Sequence, residues 1–374
     1  MSNISEKKCI IFAAGGTAGH INPAISIAKE LRKRHPDYDI HFCGTGGGLE
    51  QSMVSREFFP FHEIHASPFR RKINKELITA VKDLYRGEKE CLRLIRDLGA
   101  DLCIGTGGYV CAPLMSAAKK LGVKRLIHEQ NVFAGRSNRV MGRTADCVCV
   151  SFQESSKYFR HAKKVVTTGN PVSDDLQELD KFQSREKLGI SLDEGTKLIL
   201  ATGGSLGARK INQTIFDFVK KHYNGKYKGK YRIILAAGRR LYDEAKEQYI
   251  DAYKDMLQIK PYLFDMPEYM SAADLIITRA GAITCAEIAA IGRASIMIPY
   301  PFATEDHQTY NARVFVDGGA ALMCQDDKFN ADFLERSIAD LDENKLDDME
   351  KRAKSLAKIE ALDDILKEVC ELLG

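Results

Sequence analysis

The chain has 374 residues, of which 44% are hydrophobic and 28% charged, and a formal net charge of +4. It is too long for a single core, so two domains of ordinary globular composition are expected, and its charge is too small to point to nucleic acid. Ten cysteines without a Cys-x-x-Cys pair or a Cys/His cluster at zinc spacing argue against a metal site and thiol catalysis; Cys9, Cys103, Cys147 and Cys149 read as small core hydrophobes of a reducing compartment. No apolar run reaches the ~18 residues a membrane span needs, and the apolar run after MSNISEKK is too short for a signal peptide. A cytoplasmic chain with at most peripheral membrane contact is expected.

Cys9–Ala14 reads as a buried strand, Gly15–Gly19 as a small-residue turn, and Ile25, Ala28 and Leu31 recur at helical spacing. Asn22 suits a helix cap and Pro23 a first helical position. Further strands are expected at Ile40–Cys43, Asp101–Ile104, Arg125–His128, Cys147–Val150 and Val165–Thr168, with a helix over Pro113–Leu121. Gly44–Gly48 and Gly105–Tyr109 form further glycine turns. A hinge is expected near Gly169–Pro171. Then Lys197–Ala201 and Gly203–Ala208 repeat the opening device, ATGGSLGARKINQTI beside AAGGTAGHINPAI, 188 residues on. Strands follow at Arg232–Ala237, Leu275–Thr278 and Ser295–Pro299, a helix from His307 to Val316, and a helical stretch Leu346–Leu373. Alternating strands and helices imply parallel sheets covered on both faces, with ligands beyond the carboxyl ends of the strands.

Four stretches can carry chemistry. A glycine turn at a helix N-terminus is an anion cradle, and His20 stands on its rim, where the dipole favours a neutral imidazole able to accept a proton; a turn histidine bonded to a carbonyl is the plain alternative. His128-Glu129-Gln130-Asn131 ends a strand and reads as a hydrogen-bonding wall, or else a solvated loop. The N–H groups of Ala282, Ile283 and Thr284 can meet a diphosphate, and Glu287, expected on the first turn, can chelate a ribose diol or merely cap the helix. Thr304–Gln308 offers polar groups for sugar hydroxyls, Asp306 equally a cap. Separately, Arg70–Arg96 holds nine basic and four acidic residues around the apolar stripe Leu77, Ile78, Val81, Leu84 and Tyr85. Such a helix suits an anionic membrane surface or an ordinary core.

Taken together, Gly15–His20 with Pro23-Ala24, Gly105–Pro113, His128–Asn131, Gly169–Val172, Gly203–Ala208, Arg279–Glu287 and Asp306–Ala312 match one family in order and spacing. The chain resembles the MurG family, bacterial N-acetylglucosaminyltransferases that convert lipid I to lipid II in peptidoglycan synthesis. The resemblance implies a GT-B fold, two Rossmann-like doubly wound domains facing across a cleft. It implies an acceptor domain over residues 1–170, joined by a returning helix at 350–374, and a UDP-GlcNAc domain over 171–349. It implies inverting transfer with no covalent intermediate; no cofactor and no metal-ligand set are expected. By position, His20 is then the candidate base for the acceptor's C4 hydroxyl, Thr17, Ala18 and Gly19 border the reacting groups, and Asn131 lines the site. Ser205 lies at the donor glycine loop, Leu263 offers backbone contacts to uracil, and Ala282, Ile283 and Thr284 face the diphosphate. Glu287 holds the ribose, while His307 and Gln308 reach the GlcNAc hydroxyls. Residues 70–96 fall where the family meets the inner face of the cell membrane.

Three positions depart from the family pattern. Ala18 replaces a glycine, which fits only if that position is not left-handed; Ser173 stands where many members have Arg, and Leu206 where Gln is common. Competing readings are a UDP-GlcNAc 2-epimerase, a diacylglycerol glycosyltransferase sharing the donor half, and a non-catalytic UDP-sugar sensor.

Overall fold

A computed structural model describes residues 7–68, 75–172 and 174–374. They form two compact units, 1–173 with 358–374, and 174–357. The first unit is built on seven parallel strands, β1 (Cys9–Ala13), β2 (Asp39–Gly44), β3 (Phe61–Glu63), β4 (Leu102–Gly105), β5 (Lys124–Glu129), β6 (Cys147–Val150) and β7 (Val165–Thr167), in the order β3-β2-β1-β4-β5-β6-β7. β1 shows why an uninterrupted apolar run becomes a central strand. Ile10 and Phe12 enter one core with the helix Ala18–Arg34, while Cys9, Ile11 and Ala13 enter the other with the helices Lys75–Leu98 and Cys111–Leu121.

The second unit has six parallel strands, β8 (Lys197–Thr202), β9 (Tyr231–Ala236), β10 (Leu257–Lys260), β11 (Leu275–Thr278), β12 (Ser295–Met297) and β13 (Ala321–Met323), in the order β10-β9-β8-β11-β12-β13. Ile199, Ala201, Ile233, Leu235, Ile277 and Ile296 share a core with Ile211, Ile215 and Phe218 of the helix Arg209–His222. In each sheet the order reverses beside the first strand, between β1 and β4 and between β8 and β11. The repeated glycine devices both follow that first strand, so both lie at a topological switch point.

The expected C-terminal helical stretch is two helices, Glu343–Ser355 and Ala361–Leu373, separated by residues 356–360. The break is where the chain leaves one core for the other. Leu346 and Met349 belong to the second unit's core, whereas Leu362, Ile365, Leu366 and Val369 pack with Ile21, Ile25 and Ala28 in the first. Each such buried side chain contributes about 1.5–3 kcal/mol. The ion pairs Arg34–Asp363 (2.5 Å) and Lys164–Glu368 (2.7 Å) fasten the last helix at its edges.

The helix Lys75–Leu98 packs through Ala80, Gly87, Cys91 and Ile95; a Cβ on Gly87 would stand 2.0 Å from the His65 carbonyl oxygen. Ile78, Val81 and Tyr85 are instead 58%, 53% and 60% exposed, beside exposed Lys82, Arg86 and Lys89. Arg70, Arg71, Lys72 and Ser173 lie outside the described residues, as do the side chains of Lys75, Glu76 and Leu77. None of the ten cysteines forms a disulfide, and all but Cys370 are buried.

Candidate active site

In the first unit the chain leaves β1 through Gly15 and Gly16, the latter at φ +86°, and starts its helix at Ala18, with Thr17 as the extended N-cap. The N–H groups of His20 and Ile21 both donate to the Thr17 carbonyl, at 3.1 and 3.3 Å. The helix therefore begins earlier than the Asn22–Pro23 signal suggests, and His20 sits in its first turn. Pro23 lies inside the helix; lacking an N–H, it leaves one rung of the ladder unmade. Ala18 is not among the residues at positive φ, so the alanine in place of glycine is accommodated without strain.

The loop after β4 locks onto this turn. A Cβ on Gly108 (φ +87°) would stand 2.2 Å from the Gly15 carbonyl oxygen, and one on Gly107 (φ +121°) 2.6 Å from His20 Nδ1. Only glycine permits both the backbone angle and the approach. Gly15 N–H donates to Gly107 O at 3.4 Å and Thr106 Oγ1 to the His20 carbonyl at 2.7 Å. Cys111 Sγ donates to Ala13 O at 3.0 Å from behind, and the Tyr109 ring lies over Gly16.

The end of β5 completes the arrangement. His128, Glu129 and Gln130 are not the solvated loop that the sequence leaves open but 0%, 1% and 1% exposed. They are polar because they satisfy one another and the adjacent backbone, the condition under which buried polar groups are tolerated. The Glu129 carboxylate accepts from Asn131 N (2.9 Å), Asn131 Nδ2 (3.2 Å), Gly135 N (3.0 Å) and Asn138 Nδ2 (2.9 Å), which shapes the loop that carries half-buried Asn131. Gln130 Nε2 donates to Thr106 O at 2.8 Å and to His128 O at 3.0 Å, and Gln130 Oε1 lies 3.3 Å from His20 Nδ1. Burial pushes the His128 imidazole down to about 4, so it is neutral.

In the second unit Gly203–Ala208 follows β8, with Gly204 at φ +82° and Gly207 at φ +83°, and the helix starts at Arg209. Here the bracing comes from the loop after β9. A Cβ on Gly207 would meet the Ala237 carbonyl oxygen at 2.0 Å, and Arg239 N–H donates to Ser205 O at 3.3 Å. Ser205 and Leu206 are exposed. Leu263 is buried between Tyr262 and exposed Phe264, against which the Arg239 guanidinium stacks, 4.5 Å from the Tyr262 ring centroid.

After β11, Gly281 is the extended N-cap of the helix Ala282–Ile291, whose ladder opens with Cys285 N–H to Gly281 O at 2.9 Å. The N–H groups of Ala282, Ile283 and Thr284 precede that bond and point out of the helix end. Glu287 is the sixth residue of this helix, one turn deeper than expected, and burial pushes its carboxyl up to about 7. After β12, Glu305 and Asp306 both adopt φ near +55° (55° and 56°) and lead into the helix His307–Asp317. Gln308 Oε1 accepts from Tyr300 N–H at 2.9 Å, so its carbonyl end is already used by the backbone.

Two family models match, the glycosyltransferase family 28 N-terminal domain over residues 10–150 and its C-terminal domain over 198–369. The chain belongs to glycosyltransferase family 28. It is 40% identical over 368 residues, 97% of this chain and 98% of the relative, to the UDP-N-acetylglucosamine–N-acetylmuramyl-(pentapeptide) pyrophosphoryl-undecaprenol N-acetylglucosamine transferase of Acetivibrio thermocellus. It is similar to the crystal structure of Acinetobacter baumannii MurG, with a TM-score of 0.77 and 30% identity over 98% of this chain and 99% of that one. A UDP-N-acetylglucosamine 2-epimerase structure from Listeria monocytogenes, covered to 96% and covering 97% of this chain, has a TM-score of 0.71 at 14% identity, which shows the shared fold alone.

Within the first unit of this transferase, the structure thus gathers Thr17, Ala18, Gly19, His20 and Asn131 at the ends of β1 and β5, on either side of β4. In the second it places Ser205, Leu263, Ala282–Thr284, Glu287, His307 and Gln308 after β8, β10, β11 and β12. Sequence reasoning assigned no role to Thr106 or Tyr109, and gave Glu129 and Gln130 one only as members of a hydrogen-bonding wall. Their motifs, Gly-Gly-Tyr and His-Glu-Gln-Asn, were legible, but that Thr106 and Gln130 reach His20 depends on β1, β4 and β5 being neighbours.

Proposed function

We propose that this family 28 enzyme moves GlcNAc from UDP-GlcNAc to the C4 hydroxyl of MurNAc in lipid I, giving lipid II with inversion at the anomeric carbon. The reading rests on one observation above all. A histidine is held in the first turn of a helix by two mutually locked glycine loops, in a chain matching transferases of that name along nearly its whole length. His20 takes the proton of the attacking hydroxyl, with Thr17, Ala18, Gly19 and Asn131 around the acceptor. In the second unit the N–H groups of Ala282, Ile283 and Thr284 and the positive end of their helix hold the donor diphosphate and stabilise the departing UDP. Glu287 accepts from the ribose hydroxyls, Leu263 meets uracil through its backbone, Ser205 lines the donor loop, and His307 with the amide nitrogen of Gln308 binds the sugar hydroxyls. No metal enters this reading; among the described residues no cluster of three His, Cys, Asp or Glu side chains is arranged to hold one.

No described helix is long and apolar enough to cross a membrane, yet the acceptor is lipid-linked. The exposed Ile78, Val81 and Tyr85 among Lys82, Arg86 and Lys89 supply the means of peripheral attachment to an anionic cytoplasmic membrane face.

The test is UDP release from UDP-GlcNAc with and without a lipid I analogue, on anionic vesicles. Release only with the analogue supports the reading. Release driven by diacylglycerol would replace the acceptor, and conversion of UDP-GlcNAc to its C2 epimer without either would replace the reaction. Ile78→Asp combined with Val81→Asp should abolish vesicle sedimentation while leaving turnover of a soluble acceptor intact.

A further inference from the structure

The hydrogen bonds behind His20 run in one direction. Gly169 O, 3.0 Å from His128 Nε2, can only accept, so that nitrogen carries the proton. With His128 neutral, its Nδ1 is then a lone pair, and the atom 3.0 Å away is Gln130 Nε2. That amide nitrogen also reaches two backbone carbonyls, Thr106 O at 2.8 Å and His128 O at 3.0 Å. Three acceptors on one end of the amide leave no choice about which end is NH2. The carbonyl end, Oε1, is therefore the one 3.3 Å from His20 Nδ1, and it can only accept.

We infer that Gln130, itself oriented by His128, is the positioning residue that fixes the tautomer of His20: it receives the Nδ1 proton and leaves the lone pair on Nε2. The inference rests on the reading of His20 as the base and says which nitrogen acts. An imidazole in a turn can carry its proton on either nitrogen, and a proton on Nε2 would leave the base unable to accept there. The usual orienter of a catalytic histidine is a carboxylate, which also stabilises the imidazolium. A neutral amide supplies orientation with little charge stabilisation, so the proton taken from the acceptor hydroxyl is held weakly and is readily returned to solvent. The locked loops serve the same end, because Gly107 permits the close approach of the His20 ring. His128 explains its own burial in this scheme. If protonated, its Nδ1–H would confront the Gln130 NH2 group donor to donor, and burial keeps it neutral.

The test is proton–nitrogen correlation NMR of the full chain labelled in histidine, with the His20 signals assigned by their loss in His20→Asn. Wild-type protein should show His20 protonated on Nδ1 and His128 on Nε2 at neutral pH. An Nε2–H signal for His20 in the wild type overturns the inference without any buried substitution. In Gln130→Met, His20 should become a mixture of tautomers, with kcat lowered tenfold or more and KM for UDP-GlcNAc unchanged. Retention of a pure Nδ1–H tautomer in that variant would remove Gln130 from the role. His20→Ala activity answers the separate question of whether His20 is the base at all, since the tautomer is read whether or not it is.

Discussion

The two glycine devices sit at the same topological position of two similar sheets and are braced from opposite sides. After β1, the turn is locked by the loop of β4, across the point where strand order reverses, and the space behind it is filled by buried His128, Glu129 and Gln130. After β8, the turn leans on the loop of β9, away from β11, and its residues Ser205 and Leu206 are exposed. The first arrangement holds one side chain, His20, in a defined orientation. The second leads an exposed loop into the helix Arg209–His222. The same turn thus fixes a side chain where it is backed by buried polar groups, and remains an exposed loop where it is not.

The largest effect should come from the side chain that the first arrangement exists to hold. His20→Ala should lower turnover by roughly 10²–10⁴ with UDP-GlcNAc binding essentially unchanged, measured by steady-state UDP release and by calorimetry of donor binding. A loss under about threefold would assign the base elsewhere.

The bracing predicts a contrast between two left-handed glycines. Gly108→Ala collides with the Gly15 carbonyl as well as adopting φ +87°, whereas an alanine at Gly204 (φ +82°) meets nothing within 4 Å. The first should cost roughly 3–4 kcal/mol of stability and the second only about 1–2 kcal/mol, the backbone term by itself. Denaturant titration of both variants checks this, and equal costs would mean that the lock carries no load.

His128 and Glu287 give the two units opposite responses to pH. His128 falls to about 4 on folding from an ordinary 6.5, so the unfolded chain binds more protons between those values. The first unit should therefore lose up to about 3 kcal/mol as pH drops from 6.5 to 4. Glu287 rises from 4.5 to about 7, so there the folded state binds more protons. Its contribution is fully present below pH 4.5 and is lost as pH rises through 7, again up to about 3 kcal/mol. Scanning calorimetry from pH 4 to 8 should show the two transitions moving in opposite directions, and removal of the second trend in Glu287→Gln assigns it.

The same group sharpens the donor site. Ribose hydroxyls donate to the ionised carboxylate, so UDP-GlcNAc binding should tighten as pH rises through about 7 and release a proton near that pH. In Glu287→Gln the affinity should be roughly tenfold weaker above pH 7, about 1.4 kcal/mol, and independent of pH. A wild-type affinity that is flat from pH 6 to 8 would take Glu287 out of the ribose role.

Much of this was legible in the sequence because it is local. Continuous apolar runs such as Cys147–Val150 and Leu275–Thr278 coincide with strands to the residue, since a central parallel strand must be apolar on both faces. The repeat of the glycine turn 188 residues on announced two similar units. Two local signals misled. Asn22-Pro23 is a good helix start by composition, but the Thr17 carbonyl had already begun the ladder. The charge pairing of Leu346–Leu373 runs through a break that exists only because its two ends belong to different cores.

What the sequence determined by itself, then, was the class of fold, the positions of the glycine turns and the residue types that surround them, all of which follow from periodicity and from the conformational freedom of glycine. What only the tertiary structure decided was which of those residues work together. His20, Thr106 and Gln130 are far apart in the chain and become neighbours because β4 lies between β1 and β5. Four polar residues at a strand end look like a solvated rim until that pairing buries three of them. Burial then obliges each to find a hydrogen-bond partner: Glu129 holds the loop that follows it, and His128 and Gln130 form the chain that ends at His20.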